Sequence, residues 1–197
     1  MPVDTKPSVA RSWRYQLLKL KALTALVFAQ RQLAEQIFDE MLEGWPGDAY
    51  ALASRAHLRS SRAARAEAIS DLRALVAAHP RRSAGDWFNL AYLLEAEGRL
   101  DEAEAAFRQA VELDAKLDRA WYGLGLCLIR MHRFEEAVAA LKRNTELQPM
   151  SPYGWYQLAR VHVDRQKPEE ARRIIAHLKG FEPKVAAQLE RETGLLA

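Results

Sequence analysis

Few side chains in this sequence could do covalent or metal chemistry. There is one cysteine, Cys127; there are five histidines, at 57, 79, 132, 162 and 177; and two acidic pairs stand out, Glu135–Glu136 and Glu169–Glu170. A reactive thiolate needs cationic neighbours and exposure. Cys127 instead shares a column with Leu58, Leu93 and Val161, which predicts a small buried hydrophobe. The histidines form no His-x₃-His pair and no His-Glu-x-x-His signature, so zinc is not expected. Glycine is too sparse for a phosphate cradle, and no Walker loop, dinucleotide fingerprint or Gly-x-Ser-x-Gly elbow is present. The acidic pairs fall where helices are expected to start, and carboxylates there complement the positive helix end. No enzyme, cofactor or metal site is predicted.

The elements that position these residues repeat. Trp87, Trp121 and Trp155 lie 34 residues apart. Behind Trp87 run Leu90, Ala91, Leu94, Ala103, Phe107 and Ala110; behind Trp121, Leu124, Gly125, Leu128, Ala137, Leu141 and Pro149; behind Trp155, Leu158, Ala159, Ala171, Ile175, Leu178 and Pro183. A fixed 34-residue period marks a helical repeat array. Abundant Ala, Leu and Arg favour helix, and no alternating strand run is visible. Ala34, Phe38 and Pro46, then Ala68, Leu72 and Pro80, carry the pattern upstream. The expected organisation is a lead-in (1–14), five two-helix units (15–48, 49–82, 84–117, 118–151 and 152–185) and a closing helix (186–197). The Trp column is expected to fill the seam between paired helices.

Net charge is +3, unevenly spread: 13 Lys+Arg against 8 Asp+Glu through residue 83, and 16 against 18 beyond it. Solvated polar faces account for such a spread. The alternative is a nucleic-acid-associated module built on the basic first half, with steep salt dependence. One cysteine excludes an intramolecular disulfide framework. The run Ala22–Ala29 after Arg11, Arg14, Lys19 and Lys21 has the outline of a signal core, but its helical pattern continues past any cleavage point. A cytoplasmic, bacterial protein is expected, periplasmic if that stretch is a signal; no transmembrane segment is expected.

The Trp–Leu–Gly/Ala–large apolar–Ala–Phe-like–Ala–Pro skeleton resembles the tetratricopeptide repeat (TPR) family over nearly the whole chain. It is met most fully from residue 84 onward. Units one and two depart from it, with Leu18 and Leu52 for Trp, Lys21 and Arg55 for Leu, and Arg59 where unit three has Leu94. These departures predict a shifted helix rotation there. The resemblance implies an all-α, right-handed superhelical solenoid of about five helix-turn-helix repeats plus a capping helix. It also implies a concave groove lined by the first helix of each unit. Mapped residue by residue, the partner-binding groove is Asn89, Tyr92, Arg119, Tyr122, Arg130, Tyr153, Tyr156, Gln157 and Arg160, with Lys19, Tyr50, His57 and Phe88 also on that face. Tyr and Arg anchor interfaces because they bury area while keeping a polar handle. The expected partner is a protein or extended peptide, docked by an adaptor, scaffold or assembly factor. A secretion-type client chaperone and a subunit of a larger complex are the alternatives. Of the family's carboxylate clamp, Asn89 and Arg119 match two positions. Ala53 and His57 replace the first Lys–Asn pair and Gly123 the last Arg, so that ligand is not expected.

Overall fold

The computed structural model describes the backbone of residues 9–196 and the side chains of 13–196. All regular structure among them is helical, and the chain divides into two units, residues 1–82 and 83–197. The first unit holds α1 (Val9–Val27), α2 (Arg31–Gly44), α3 (Ala49–Ser61) and α4 (Arg65–Ala78). α1 pairs with α2 and α3 with α4, and α2 packs on α3. The interior is Leu18, Ala22, Phe38, Met41, Leu52 and Leu75, all nearly inaccessible. The apolar run Ala22–Val27 thus belongs to a helix whose inner face rests on α2. α1 begins at Val9, inside the stretch expected as a lead-in: no proline follows Pro7 before Pro46, and Val9–Arg14 continues the helical run. Among the described residues no helix is long and apolar enough to cross a membrane.

The second unit holds α5 (Ala84–Ala96), α6 (Leu100–Leu113), α7 (Asp118–Arg130), α8 (Phe134–Leu147), α9 (Pro152–Asp164), α10 (Pro168–Lys179) and α11 (Pro183–Thr193). Successive pairs form antiparallel hairpins. α5, α7 and α9 touch in sequence as one row, and α11 extends that row by packing on both α9 and α10. α11 starts at Pro183, where a missing N–H costs nothing, and stops before Gly194 in the left-handed region. Its Ala186 and Leu189 join the core cluster of Val138, Leu141, Leu158, Ile175 and Leu178.

One turn geometry recurs in both units. Ala29, Ala63, Gly98, His132 and Gln166 all adopt positive φ, between 55° and 75°. After each, the next amide donates to the carbonyl five residues back, at 2.8–2.9 Å: Gln30 to Ala25, Ala64 to Arg59, Arg99 to Leu94, Arg133 to Leu128 and Lys167 to His162. This is the helix-ending Schellman arrangement, and only Gly98 enters it without a Cβ penalty.

The tryptophans of the repeating column, Trp87, Trp121 and Trp155, are half-buried rather than enclosed. Trp121 Nε1 donates to the Ala115 carbonyl at 3.0 Å, and Trp155 Nε1 to the Pro149 carbonyl at 2.9 Å. Each indole pins the loop between hairpins with its polar edge, and that edge keeps it at the surface.

Arg55 and Arg59, which stand where apolar residues are expected, find partners in place. Arg55 grips Asp71 of α4 with two nitrogens (2.5 and 3.0 Å) and donates to Asp39 of α2 at 2.7 Å. Arg59 bonds Asp71 and Glu35, both at 2.9 Å. Asp71 is 3% exposed and falls in a column occupied elsewhere by Ala106, Ala140 and Ile174. The seam therefore carries charge by matching an acid in one apolar column to arginines in another.

Candidate functional site

The row of first helices in the second unit carries the expected groove residues. On α7 and α9, Tyr122, Tyr153, Tyr156 and Gln157 surround a single open depression of about 290 Å³. Pro152 and, from α11, Val185 and Gln188 complete its lining. Tyr122 and Tyr156 rest partly buried on the core below, whereas Tyr153 is 70% exposed. Tyr156 donates its hydroxyl to Glu192 Oε2 at 2.6 Å, tying α9 to α11. That hydrogen bond, reinforced by burial, raises the phenol's pKa above its ordinary value. Arg160 lies over the Tyr156 ring at 5.8 Å, a cation–π contact that fixes the ring and leaves guanidinium N–H groups at the surface.

A second cluster sits on α5 and α7. The Arg119 guanidinium stacks on Phe88 at 4.6 Å, and Phe88 stacks on Tyr92 at 6.4 Å. Asn89 is exposed on the same helix. Arg130 is engaged apart from the tyrosines: it pairs with the Glu95 carboxylate and donates to the Glu95 carbonyl at 2.9 Å. The nine expected residues thus divide into a tyrosine cleft (Tyr122, Tyr153, Tyr156, Gln157, Arg160), an arginine–aromatic cluster (Tyr92, Arg119, with Asn89 beside it) and one internal ion pair (Arg130). In the first unit Lys19 lies over Tyr50 at 4.8 Å, and His57 is exposed.

The contribution of α11 to the cleft lies outside the groove residues read from the sequence, where this helix figured only as a cap. The signal was present in the spacing of Val185, Gln188 and Glu192, which share one helical face. Gly123, the position a clamp arginine would need, faces the Phe107 ring. A Cβ there would stand 2.5 Å from two of its carbons.

The reactive side chains have structural places. Cys127 is inaccessible, its S–H reaches the Leu100 carbonyl at 3.3 Å, and burial, then the carboxylates of Glu95 and Glu104, push its thiol up to about 11. Glu135 and Glu136 open α8, and Glu169 and Glu170 open α10. Glu136 also pairs with Arg133 and Arg108 at 2.7 Å each. The excess cations of the first half are partly neutralised, since Arg55, Arg59 and Arg62 all bind carboxylates of their own unit.

Stacked antiparallel hairpins with one helix of each lining a common row define a repeat-type interaction scaffold. Two family models described as tetratricopeptide repeat match residues 52–118 and 94–155, together more than half the chain. The chain belongs to the tetratricopeptide repeat family, whose members are in general non-enzymatic interaction modules. By sequence, the comparison with curated proteins found no match. By fold, the chain is similar to MamA (17% identity, 93% of this chain and 97% of that one, TM-score 0.78). It is also similar to YrrB, described as a TPR protein with an unusual peptide-binding site (18%, 86% and 88%, 0.78). PilF of Pseudomonas aeruginosa is a third such structure (20%, 93% and 91%, 0.65).

Proposed function

We propose that the protein is a non-enzymatic adaptor, scaffold or assembly factor that docks an extended peptide or protein segment across α7, α9 and α11. The observation that carries this reading is the tyrosine cleft. Three tyrosines and two glutamines converge on one open depression, with the Arg160 guanidinium beside it. Apolar rings with polar edges suit a peptide, whose side chains pack on the faces while its backbone amides meet the hydroxyls and amide groups. Arg160 is placed to meet a carboxylate or carbonyl of the same ligand. The structural likeness to YrrB, described as having a peptide-binding site, supports the same class of partner. Affinity capture by the tagged chain, set beside Tyr122→Ala/Arg160→Ala, tests it. The double variant should keep its helical circular dichroism and a cooperative melt, lowered by the trimmed packing of Tyr122, and lose the captured partner; undiminished capture refutes the assignment.

A further inference from the structure

The first helix of a later hairpin packs against the second helix of the hairpin before it. Within the first unit α3 lies on α2; within the second, α7 lies on α6 and α9 on α8. Three recurring positions face that seam: Ala51, Arg55 and Leu58 on α3; Ala120, Leu124 and Cys127 on α7; Gly154, Leu158 and Val161 on α9. All are buried except Arg55, which is half-buried in its ion pairs. The same positions on α1 are Leu17, Lys21 and Thr24, and all three are exposed, Leu17 at 52%. Trp13, Leu20, Val27 and, on α2, Leu33 add further exposed apolar surface. Leu20, Lys21 and Thr24 line a depression of about 510 Å³ with Leu33, Ile37 and Glu40. Trp13, Leu17, Leu20 and Val27 recur at helical spacing along one side of α1, and exposed apolar residues grouped in this way mark a docking site.

The chain's own seam shows what kind of element covers it. Arg55, the middle seam position of α3, donates to Asp39 of the covering helix α2 at 2.7 Å. Lys21 is the counterpart of Arg55 on α1. On α1, which carries no acidic residue from Val9 to Val27, Arg14 is bonded to Glu40 of α2 at 2.9 Å and Lys19 lies over Tyr50, so the cation offered by the exposed face is Lys21; the covering helix α2 sets Glu35, Asp39, Glu40 and Glu43 against one arginine. A second copy laid α1 on α1 would bring cations against cations. The closing helix α11 of such a copy keeps Ala186 and Leu189 buried, turns Val185 to the tyrosine cleft, and presents Lys184, Gln188, Arg191 and Glu192.

We propose that α1 docks an acidic amphipathic helix of a partner protein, seated where the second helix of a preceding hairpin would lie, with a carboxylate on Lys21. The probe is a fluorescently labelled peptide of residues 30–47, the chain's own α2 with its flanks. It is held helical by a staple between Gln32 and Gln36, both exposed in the fold. Added to the full chain, it should show saturable anisotropy with a Kd below about 1 mM. Lys21→Glu should weaken it about tenfold through like-charge opposition, and Leu17→Glu should abolish it. Both positions are exposed, so unchanged thermal melts confirm that the variants fold. A peptide with Glu35, Asp39 and Glu40 replaced by lysine should not bind. The proposal is overturned by an absence of binding up to that concentration, or by equal binding to wild type and Lys21→Glu. It is equally overturned if the α1 face instead drives self-association in sedimentation or capture on anionic vesicles, either being lost in Leu17→Glu.

Discussion

Four residues with side chains occupy a left-handed turn position that a fifth fills with glycine, and Ala63 offers the cleanest perturbation. It sits at φ 63° between α3 and α4. An L-residue there places its Cβ against the following carbonyl, at about 1–2 kcal/mol. Ala63→Gly removes that strain but gives the unfolded chain additional freedom worth about 0.4–1 kcal/mol. The net expectation is a gain of about 0.5–1 kcal/mol, or roughly 1–4 °C in melting temperature for a chain of this size. Gly98, at φ 75° in the matching turn of the second unit, supplies the reverse test. Gly98→Ala should lose a similar amount. Thermal and urea melts followed by circular dichroism measure both. If Ala63→Gly destabilises, or if Gly98→Ala is neutral, the shared turn geometry is wrong.

Asp71→Ala should cost about 3 kcal/mol in a urea melt, because it strips Arg55 and Arg59 of their most buried partner; the double change Arg55→Leu/Asp71→Ala should recover most of it. Gly154→Ala should destabilise by about 1–3 kcal/mol, since the added Cβ would stand 2.1 Å from Asn144 Oδ1 and displace the side chain that donates to the Asp118 carbonyl at 2.9 Å. His162 is 5% exposed with its Nδ1 unpartnered, and burial, then the charge of Arg165, lowers its pKa below the ordinary 6.5. Its neutral form is the one that folds, so the unfolded chain binds the proton more readily, and stability falls as pH drops below about 6.5. His162→Leu, which matches Leu94 and Leu128 in the same column, should flatten that acid limb and add about 1 kcal/mol at neutral pH; a melt series from pH 7 to 5 reads both effects.

The helical architecture was legible because its determinants are periodic. A tryptophan, a leucine and small residues recurring at 34 are visible without coordinates, and the Gly98 turn and the Pro168 helix start are local signals. Asp71 was harder to see. An aspartate in an apolar column means little until the arginines of another helix are set beside it, and that pairing is tertiary. Two of the departures from the family pattern in the first two units, Arg55 and Arg59, have Asp71, Asp39 and Glu35 in reach, a pairing that spacing along the chain does not show. The Trp column misled in degree, because sequence spacing shows which face a residue lies on but not that its indole edge bonds a loop carbonyl. The tyrosines of α7 and α9 could be named from spacing and family resemblance. Their convergence with α11 could not, since it depends on how a closing helix of a different phase packs at the end of the row.

Whether a partner lies in the tyrosine cleft can be read by site-specific photocrosslinking, with a benzophenone amino acid in place of Tyr153 at the mouth of the cleft and, separately, in place of Glu169 at the exposed start of α10. Position 153 should yield a discrete adduct with the captured partner and position 169 none. An adduct from position 169 with none from 153 would contradict the cleft assignment.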